Sequence, residues 1–580
     1  MQKKYTLVLL FCLSALAFKV KAQTDNIELS DKQNILLNRL DIKFRGDSAL
    51  QWTTMKPYSR KRVTEAVENI YTSGQINDPG LSAVDKYNIE SLLMNNRDWT
   101  QNYQNQFEAK HPIFNTFFTN PAHLYEQNSG DYSIVVDPLL NFQFGHSSDG
   151  TNTYVNSRGI RVRGQVDNRV GYYLFLTDNQ ERDPLYVRQY QRSRDALPGI
   201  GYYKYYKTDS YDYFDVRGGV TFHGGKYLDF QIGYDKFFIG DGYRSLFLSD
   251  FSAPAYFLKF QVHAGHVQYT AVGAQTIAPF WYTNMSDSLH PRNSDSTRPR
   301  NFMMFHYLNW QATNWLKIGF FESTMFNSKI NGGLQVTYLN PAILNKAMSQ
   351  ETGNSAKSSI GLDFKANFAK HFVAYGQWLV NEFHADKIFK FGDGDWVNKF
   401  GFQLGGKYID AFTVKNLDLQ LEGNLVRPFT YTDKWSQNNF TNYNQPLADP
   451  LGANFKELDA IATYQPLPKL YINVKAILFN KGLDTTAEFA HAVTSPNHGG
   501  DIFRNYNDNR LAQDGYTYAN GILNKVGLAS VTASWELIQN LFIDANFTYR
   551  RSSIATMPTT SAKMFMIGLR WNMARREFMF

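Results

Sequence analysis

From about residue 130 to the last residue, apolar and polar side chains alternate one for one, stretch after stretch. Leu417, Leu419, Leu421 and Leu425 face Asp418, Gln420, Glu422 and Asn424. Leu228, Phe230, Ile232 and Tyr234 face Asp229, Gln231, Gly233 and Asp235, and Leu541–Arg550 repeats the pattern. Successive side chains of a strand point to opposite faces, so each stretch predicts a strand with one oily and one wet side. About 18 such strands fit between Tyr132 and Met573, an even number as bacterial barrels require.

The connections alternate in length. Asp167-Asn168-Arg169, Gly224-Gly225, Thr313-Asn314 and Gln539-Asn540 are tight, whereas 179–213, 236–253, 275–301, 324–356, 427–455 and 480–521 are long. The six residues 147–152 are the one short member of the long set. In outer-membrane barrels short turns face the periplasm and long loops face outward. The expected fold is therefore all-β and transmembrane: an antiparallel outer-membrane β-barrel over 131–580, both termini periplasmic. A large soluble sandwich or propeller would also alternate, but needs neither one-sided loops nor a nearly uncharged outer row. The last strand, with Phe565, Ile567, Leu569, Trp571 and Met573 outward, precedes a terminal Phe580 of the kind that barrel-assembly machinery reads.

The first 130 residues differ. Lys3 and Lys4, the apolar run Leu7–Phe18 and the site Val20-Lys21-Ala22 read as a signal peptide, 1–22, with Gln23 the first mature residue. Ser59 is placed to cap a helix bearing Val63, Val67, Ile70 and Tyr71 and stopped by Gly74; Ser82 with Asp85 forms a capping box for a second, through Val84, Tyr87, Leu92 and Leu93. Residues 23–130 thus predict a small α-helical plug segment at the periplasmic mouth. His111–Tyr125, with Phe114, Phe117, Phe118 and Pro121, is expected to pack it onto the barrel.

Composition agrees. Mean hydropathy is −0.41 while aromatics reach 16%, as when only alternate residues meet lipid and rings gather at the interfaces. Removing Lys3, Lys4, Lys19 and Lys21 with no acid lowers the net charge from +7 to +3, and no long basic run points to nucleic acid. The sole cysteine, Cys12, lies in the signal, leaving no thiol chemistry.

One segment breaks the hairpin grammar. After Asp235-Lys236-Phe237-Phe238-Ile239 comes Gly240-Asp241-Gly242-Tyr243-Arg244-Ser245-Leu246-Phe247-Leu248-Ser249-Asp250, then Ala253-Pro254. Gly240 and Gly242 open backbone conformations closed to other residues; Arg244, Ser245, Ser249 and Asp250 bring donors and acceptors together. Two readings stand: a loop folded into the lumen as a brace, or a ligand site at the barrel mouth. The run resembles the hallmark segment of the Wzi family of capsule-assembly outer-membrane proteins, in which G-x-G is followed by S-L-x-L-S and a proline. It is more similar to a Bacteroidota branch that includes proteins called gliding-motility protein RemB. The stretches 81–96 (LSAVDKYNIESLLMNN) and 120–125 (NPAHLY) carry the same likeness. The resemblance implies an 18-stranded barrel with periplasmic helices that binds surface polysaccharide and helps hold a capsule at the cell. Gly240, Gly242, Ser245, Leu246, Leu248 and Ser249 fall on the hallmark positions, and the Tyr243-Arg244 pair belongs to the Bacteroidota-like version. The RemB likeness implies instead a motility or secretion accessory that partners other envelope proteins.

Candidate sugar contacts also crowd the 179–213 loop and the strand after it. Tyr186, Tyr190, Tyr202, Tyr203, Tyr205, Tyr206, Tyr211 and Tyr213 are interleaved with Arg182, Arg188, Arg192 and Arg194; Trp281-Tyr282, Trp396 and Trp435 add to them. Aromatic faces suit sugar C–H surfaces, and arginine forks suit acidic sugars. The alternative is an interfacial girdle with arginines on lipopolysaccharide phosphates. Catalysis is not expected: no nucleophile motif is present, His263 and His266 merely straddle a turn, and Asp393-Gly394-Asp395 lacks the rest of a calcium loop. No cofactor or metal is implied. A diffusion channel is the third reading, since a barrel of this size has room for a lumen.

Overall fold

The computed structural model describes residues 25–29, 31–44, 50, 52–102, 106–167, 169–224, 227–280, 298–327, 351, 356–384, 394–491 and 494–580. The signal 1–22 and the Trp281-Tyr282 pair lie outside these, as does Asp393.

Eighteen long strands form one closed antiparallel barrel. They are β1 (Tyr132–Ser147), β2 (Asn152–Val166), β3 (Val170–Arg182), β4 (Ser210–His223), β5 (Leu228–Asp235) and β6 (Ala255–Ala264). Then come β7 (Val267–Ile277), β8 (Arg300–Gln311), β9 (Leu316–Phe326), β10 (Lys357–Phe368), β11 (Phe372–Glu382) and β12 (Lys399–Tyr408). The last are β13 (Leu417–Val426), β14 (Phe455–Leu467), β15 (Leu470–Leu483), β16 (Ile522–Ile538), β17 (Leu541–Ile554) and β18 (Thr560–Trp571). The barrel closes where β18 pairs with β1, from Met564 opposite Ser147 to Trp571 opposite Leu140. Below that seam a short strand, Tyr125–Asn128, takes over the edge of β1.

Each strand lies where alternation predicts it. Leu258, Leu421, Leu478 and Ile567 are exposed on the outer row, while Arg163, Glu422, Asn424 and Asp459 are buried on the inner one. Several strands outrun their predicted ends: β3 reaches Arg182, β4 starts at Ser210 and β15 reaches Leu483. Beyond the bilayer both rows are polar, so periodicity fades before the ladder does.

The N-terminal segment holds three helices inside the short-turn end: α1 (Gln33–Lys43), α2 (Arg60–Thr72) and α3 (Ala83–Asn95). They share a core of their own, including Leu37, Leu40, Val67, Ile70, Leu92 and Leu93. The Ser82–Asp85 capping box forms as expected; Ser59 occupies the N-cap of α2, but its hydroxyl makes no capping bond. α2 gives way at Gly74, whose φ of +79° suits glycine. The outside of the plug is bonded to the lumen wall by charge. Arg39 donates to Asp85 and to Asp410 and Asp418 of the β12–β13 turn and strand. Lys32 meets Glu536, Arg161 meets Glu28 and Arg163 meets Asp98. His123 joins plug and wall, with Nδ1 2.9 Å from Asp137 and Nε2 3.1 Å from the Asn95 carbonyl. The neighbouring rings behave otherwise: Phe118 stacks on Trp571 at 6.0 Å, covering the seam, and Phe114 is 86% exposed.

Candidate functional site

At Asp235 the chain leaves the wall and enters the lumen, so 236–254 is not the outward loop its length suggested. Phe238–Ile239 pairs with Met55–Lys56 of the plug. Gly240 has φ +154°, and a Cβ there would meet the Gln377 amide at 2.9 Å; a Cβ on Gly242 would meet the Glu422 carboxylate. The two glycines let the segment lie against the wall. Glu422 accepts from the backbone N–H groups of Tyr243 and Arg244 at 2.7 and 2.9 Å. Arg244 donates to Glu457 at 3.0 Å and to the Met579 carbonyl at 2.6 Å, with Asp449 at 3.9 Å. Ser245 turns its hydroxyl inward: it donates to the Ile239 carbonyl and accepts from the N–H groups of Phe247 and Leu248. Ser249 donates to the Ala448 carbonyl. Asp241 ties three parts together, accepting from Thr54 of the plug at 2.8 Å and from Lys365 of β10 at 2.8 Å, while Lys365 also reaches Asp41 at 2.5 Å. Leu246, Phe247 and Leu248 are fully packed, with Phe247 stacked on Phe321 at 4.8 Å. The motif thus braces plug, wall and tail; of its polar residues Asp250 alone is exposed.

The C-terminus contributes an element that periodicity does not announce. The last strand stops at Trp571, and 572–580 turns back up the lumen. Arg576 pairs with Glu181 of β3, Glu577 with Lys475 of β15, and Tyr186 donates to the Phe578 carbonyl at 2.6 Å. Phe580, read in the sequence as a terminal aromatic following the last strand, is buried among Tyr186, Tyr190, Phe251 and Phe489 at 5.2–6.1 Å. These rings join one apolar cluster with the motif and with inward residues Phe257, Phe305, Phe321 and Leu379. Three cavities around the lumen filling measure about 20 to 40 Å³, room for a water or two each.

The tyrosine-rich loop splits in two. Leu185–Arg194 is a helix, α4, which turns Tyr186 and Tyr190 into the lumen. Tyr203, Tyr205 and Tyr211 gather on the Gln191 side chain, and Tyr213 donates to Glu181 at 3.0 Å. Tyr203, Tyr211 and Tyr213 are buried; Tyr202 is exposed, and Tyr205 and Tyr206 are half-buried. Tyr202 lies under the Arg298 guanidinium at 5.4 Å.

A second aromatic group at the same end was less prominent in the sequence. Trp396 stands between the Arg510 guanidinium at 3.5 Å and the Tyr506 ring at 4.9 Å, and its indole N–H donates to Gln513 at 2.8 Å. The Lys399 ammonium lies 3.8 Å from the Tyr506 centroid, and Trp435 is 47% exposed. Arg510 and Tyr506 cover Trp396 and Gln513 takes its N–H, so the group offers ring edges, a guanidinium and the exposed Trp435 to a sugar ring. The separation of Trp396 from Tyr506 and Arg510 by more than a hundred residues hid the group. His263 faces the lumen wall by Gln268 and Asp229, away from His266 in the turn.

No protein-family model matches the chain, and no curated protein matches its sequence. Among solved structures, the chain is similar to Wzi of Escherichia coli, described as an outer-membrane protein involved in group 1 capsule assembly and a carbohydrate-binding β-barrel. The TM-score is 0.53 at 12% identity, covering 95% of this chain and all of that one. OprD and OpdK of Pseudomonas aeruginosa align over 76% of this chain and 94% and 98% of theirs, both with TM-score 0.40, at 11% and 8% identity. The chain shares with Wzi the fold of an outer-membrane β-barrel.

Proposed function

We propose that this barrel lies in the outer membrane with its long loops outward and both termini's segments entering from the periplasm, and that it binds surface polysaccharide without turnover. The observation that carries the reading is the filled lumen. Plug, motif segment and tail occupy it from the turn end to the level of Tyr190 and Phe489, so a polymer is met on the loop surface and not conducted. The group of Trp396, Tyr506 and Arg510, with Trp435 and the exposed flank of Tyr206, forms that surface. Many weak contacts along one polymer sum to retention, which suits holding a capsule. The fold likeness to a carbohydrate-binding barrel supports the same assignment. The motif residues Gly240, Gly242, Tyr243, Arg244, Ser245 and Ser249 then act from beneath, fixing the 445–451 segment that Ser249 holds.

The test is binding of the purified full mature chain to the host's own surface polysaccharide. Wild type is expected to bind, and Trp396→Ala with Arg510→Ala to lose roughly ten- to hundred-fold, taking about 0.5–1.5 kcal/mol for each aromatic or cation–π contact. No binding by wild type at any practical concentration overturns the reading.

A further inference from the structure

Among the described strands, the ladder on one side of β4 is interrupted. On its β3 side β4 is paired from Tyr211 to Phe222. On its β5 side pairing runs only from His223 to Gly218, because β5 ends at Asp235 where the motif segment dives inward. The short strand Lys204–Tyr206 covers Ser210–Asp212 on that same side. Tyr213–Arg217 therefore have a neighbour on one side only, over roughly 16 Å of strand. The chain re-enters the wall as β6 opposite Asp235, beneath this gap.

The gap opens outward into a cleft of about 600 Å³, within the range of small-ligand sites. Its floor is apolar and continuous with the lipid-facing row: Leu174 of β3, Phe214 and Val216 of β4, and Tyr256 of β6. Phe214 and Tyr256 are 65% and 63% exposed, high for rings of this size. The rim toward the loops is cationic. Arg300 is exposed and donates to Gln275 at 2.6 Å, and Arg298 lies 4.9–5.4 Å over Tyr202, Phe280 and Tyr443. Among the described residues neither arginine has a carboxylate within ion-pair distance. An apolar floor at bilayer depth beneath two arginines that pair with no carboxylate among the described residues fits an amphiphile with acyl chains and a phosphorylated head. Lipid facing the loop ends of an outer-membrane barrel is lipopolysaccharide.

We propose that this break in the wall is a specific site for lipid A: acyl chain against Leu174, Phe214 and Val216, phosphate against Arg298 and Arg300. The proposal rests on the loop-outward orientation above. It gives the inward dive of the motif a second consequence, since the segment that braces the lumen also opens the wall.

The delipidated full mature chain would be mixed in detergent with diphosphoryl lipid A, phosphatidylglycerol or dioleoylglycerol, and retention read by native mass spectrometry. One lipid A per chain is expected, with little of the others. Arg298→Glu with Arg300→Glu is expected to cut its occupancy about ten-fold, and Val216→Trp to cut it similarly by filling the floor. Leu421→Trp, on the outer row of β13, is expected to change nothing. Heat-modifiable gel migration reports that each variant is folded. Polysaccharide binding by the same preparations separates the two readings, because both cleft variants keep it if the glycan surface lies at Trp396. Retention of phosphatidylglycerol or dioleoylglycerol equal to lipid A, or variants that hold lipid A as wild type does, overturns the proposal.

Discussion

The two halves of the lumen are filled by different chemistry. At the turn end the plug brings its own core and meets the wall mainly through charged groups, Arg39 and Lys43 against Asp410, Lys32 against Glu536 and Arg163 against Asp98, with one small apolar contact of Ile42 on Val373, Tyr375 and Ile409. Toward the loops, the motif and the tail have no core of their own. They borrow one, pressing Phe247, Leu248, Phe251 and Phe580 onto rings supplied by α4 and the wall. The wall changes to match. The inward row of β9 carries Lys317 near the turn but Phe321 and Met325 higher up, and that of β8 runs from Asn309 to Phe305 and Met303. The self-sufficient domain docks mainly through paired charges, whereas the extended segments add the burial of rings to their ion pairs.

The difference can be broken most forcefully where one charge sits inside the aromatic half. Arg244 is the cation that faces Glu457 and Asp449. Arg244→Met leaves those carboxylates buried without it and is expected to cost about 4 kcal/mol, read as a lower urea midpoint of heat-modifiable folding. A loss under 1 kcal/mol would mean that water replaces the guanidinium. Next comes Phe580→Ala, expected to cost about 3 kcal/mol as the ring's contacts with Tyr190, Phe251 and Phe489 are lost. Hydrogen exchange should rise across 572–580 and α4 while the plug stays protected; a rise in both halves would contradict their independence.

The plug should respond to acid through the carboxylates that its cations hold down. Burial alone would raise Asp85, but Arg39 and Lys43 outweigh it and hold the carboxyl below its ordinary range. In the same way Arg39 holds Asp410 down at about 2 against burial. Carboxylates lowered on docking contribute stability that is present above their free values near 4 and is lost as pH falls through the docked ones. Pepsin at pH 2 to 3 should therefore begin to cut within 25–102 as these pairs are lost, and Asp85→Asn should extend that sensitivity to higher pH at a cost of about 2 kcal/mol.

The wall was legible because each strand has two solvents, lipid and lumen, and records them in alternate residues. The capping box at Ser82 was legible because it is local. α1 was not: Leu36, Leu37 and Leu40 face the plug core, but Arg39, Asp41 and Lys43 are buried against the wall on the other side, so no polar stripe marks solvent. α4 did leave a signal, Tyr186, Val187, Tyr190, Gln191 and Arg194 behind Pro184, masked by the tyrosine count around it. The brace could have been read from β8, where Phe302, Met303, Met304 and Phe305 are apolar on both rows, a sign that something apolar lies inside. The motif's glycines pointed to a close approach, and the approach is to Glu422 and Gln377. The tail's return into the lumen has no local signature, since it depends on partners up to about 400 residues away, such as Glu181.

The central claim is that a filled barrel holds polysaccharide on its loop surface. It is tested most directly in a deletion strain, by weighing cell-associated against released surface polysaccharide. Loss of the barrel should move polymer from cells to medium, and the wild-type chain should restore retention where Trp396→Ala with Arg510→Ala does not. Unchanged retention, with surface movement lost instead, would contradict the account.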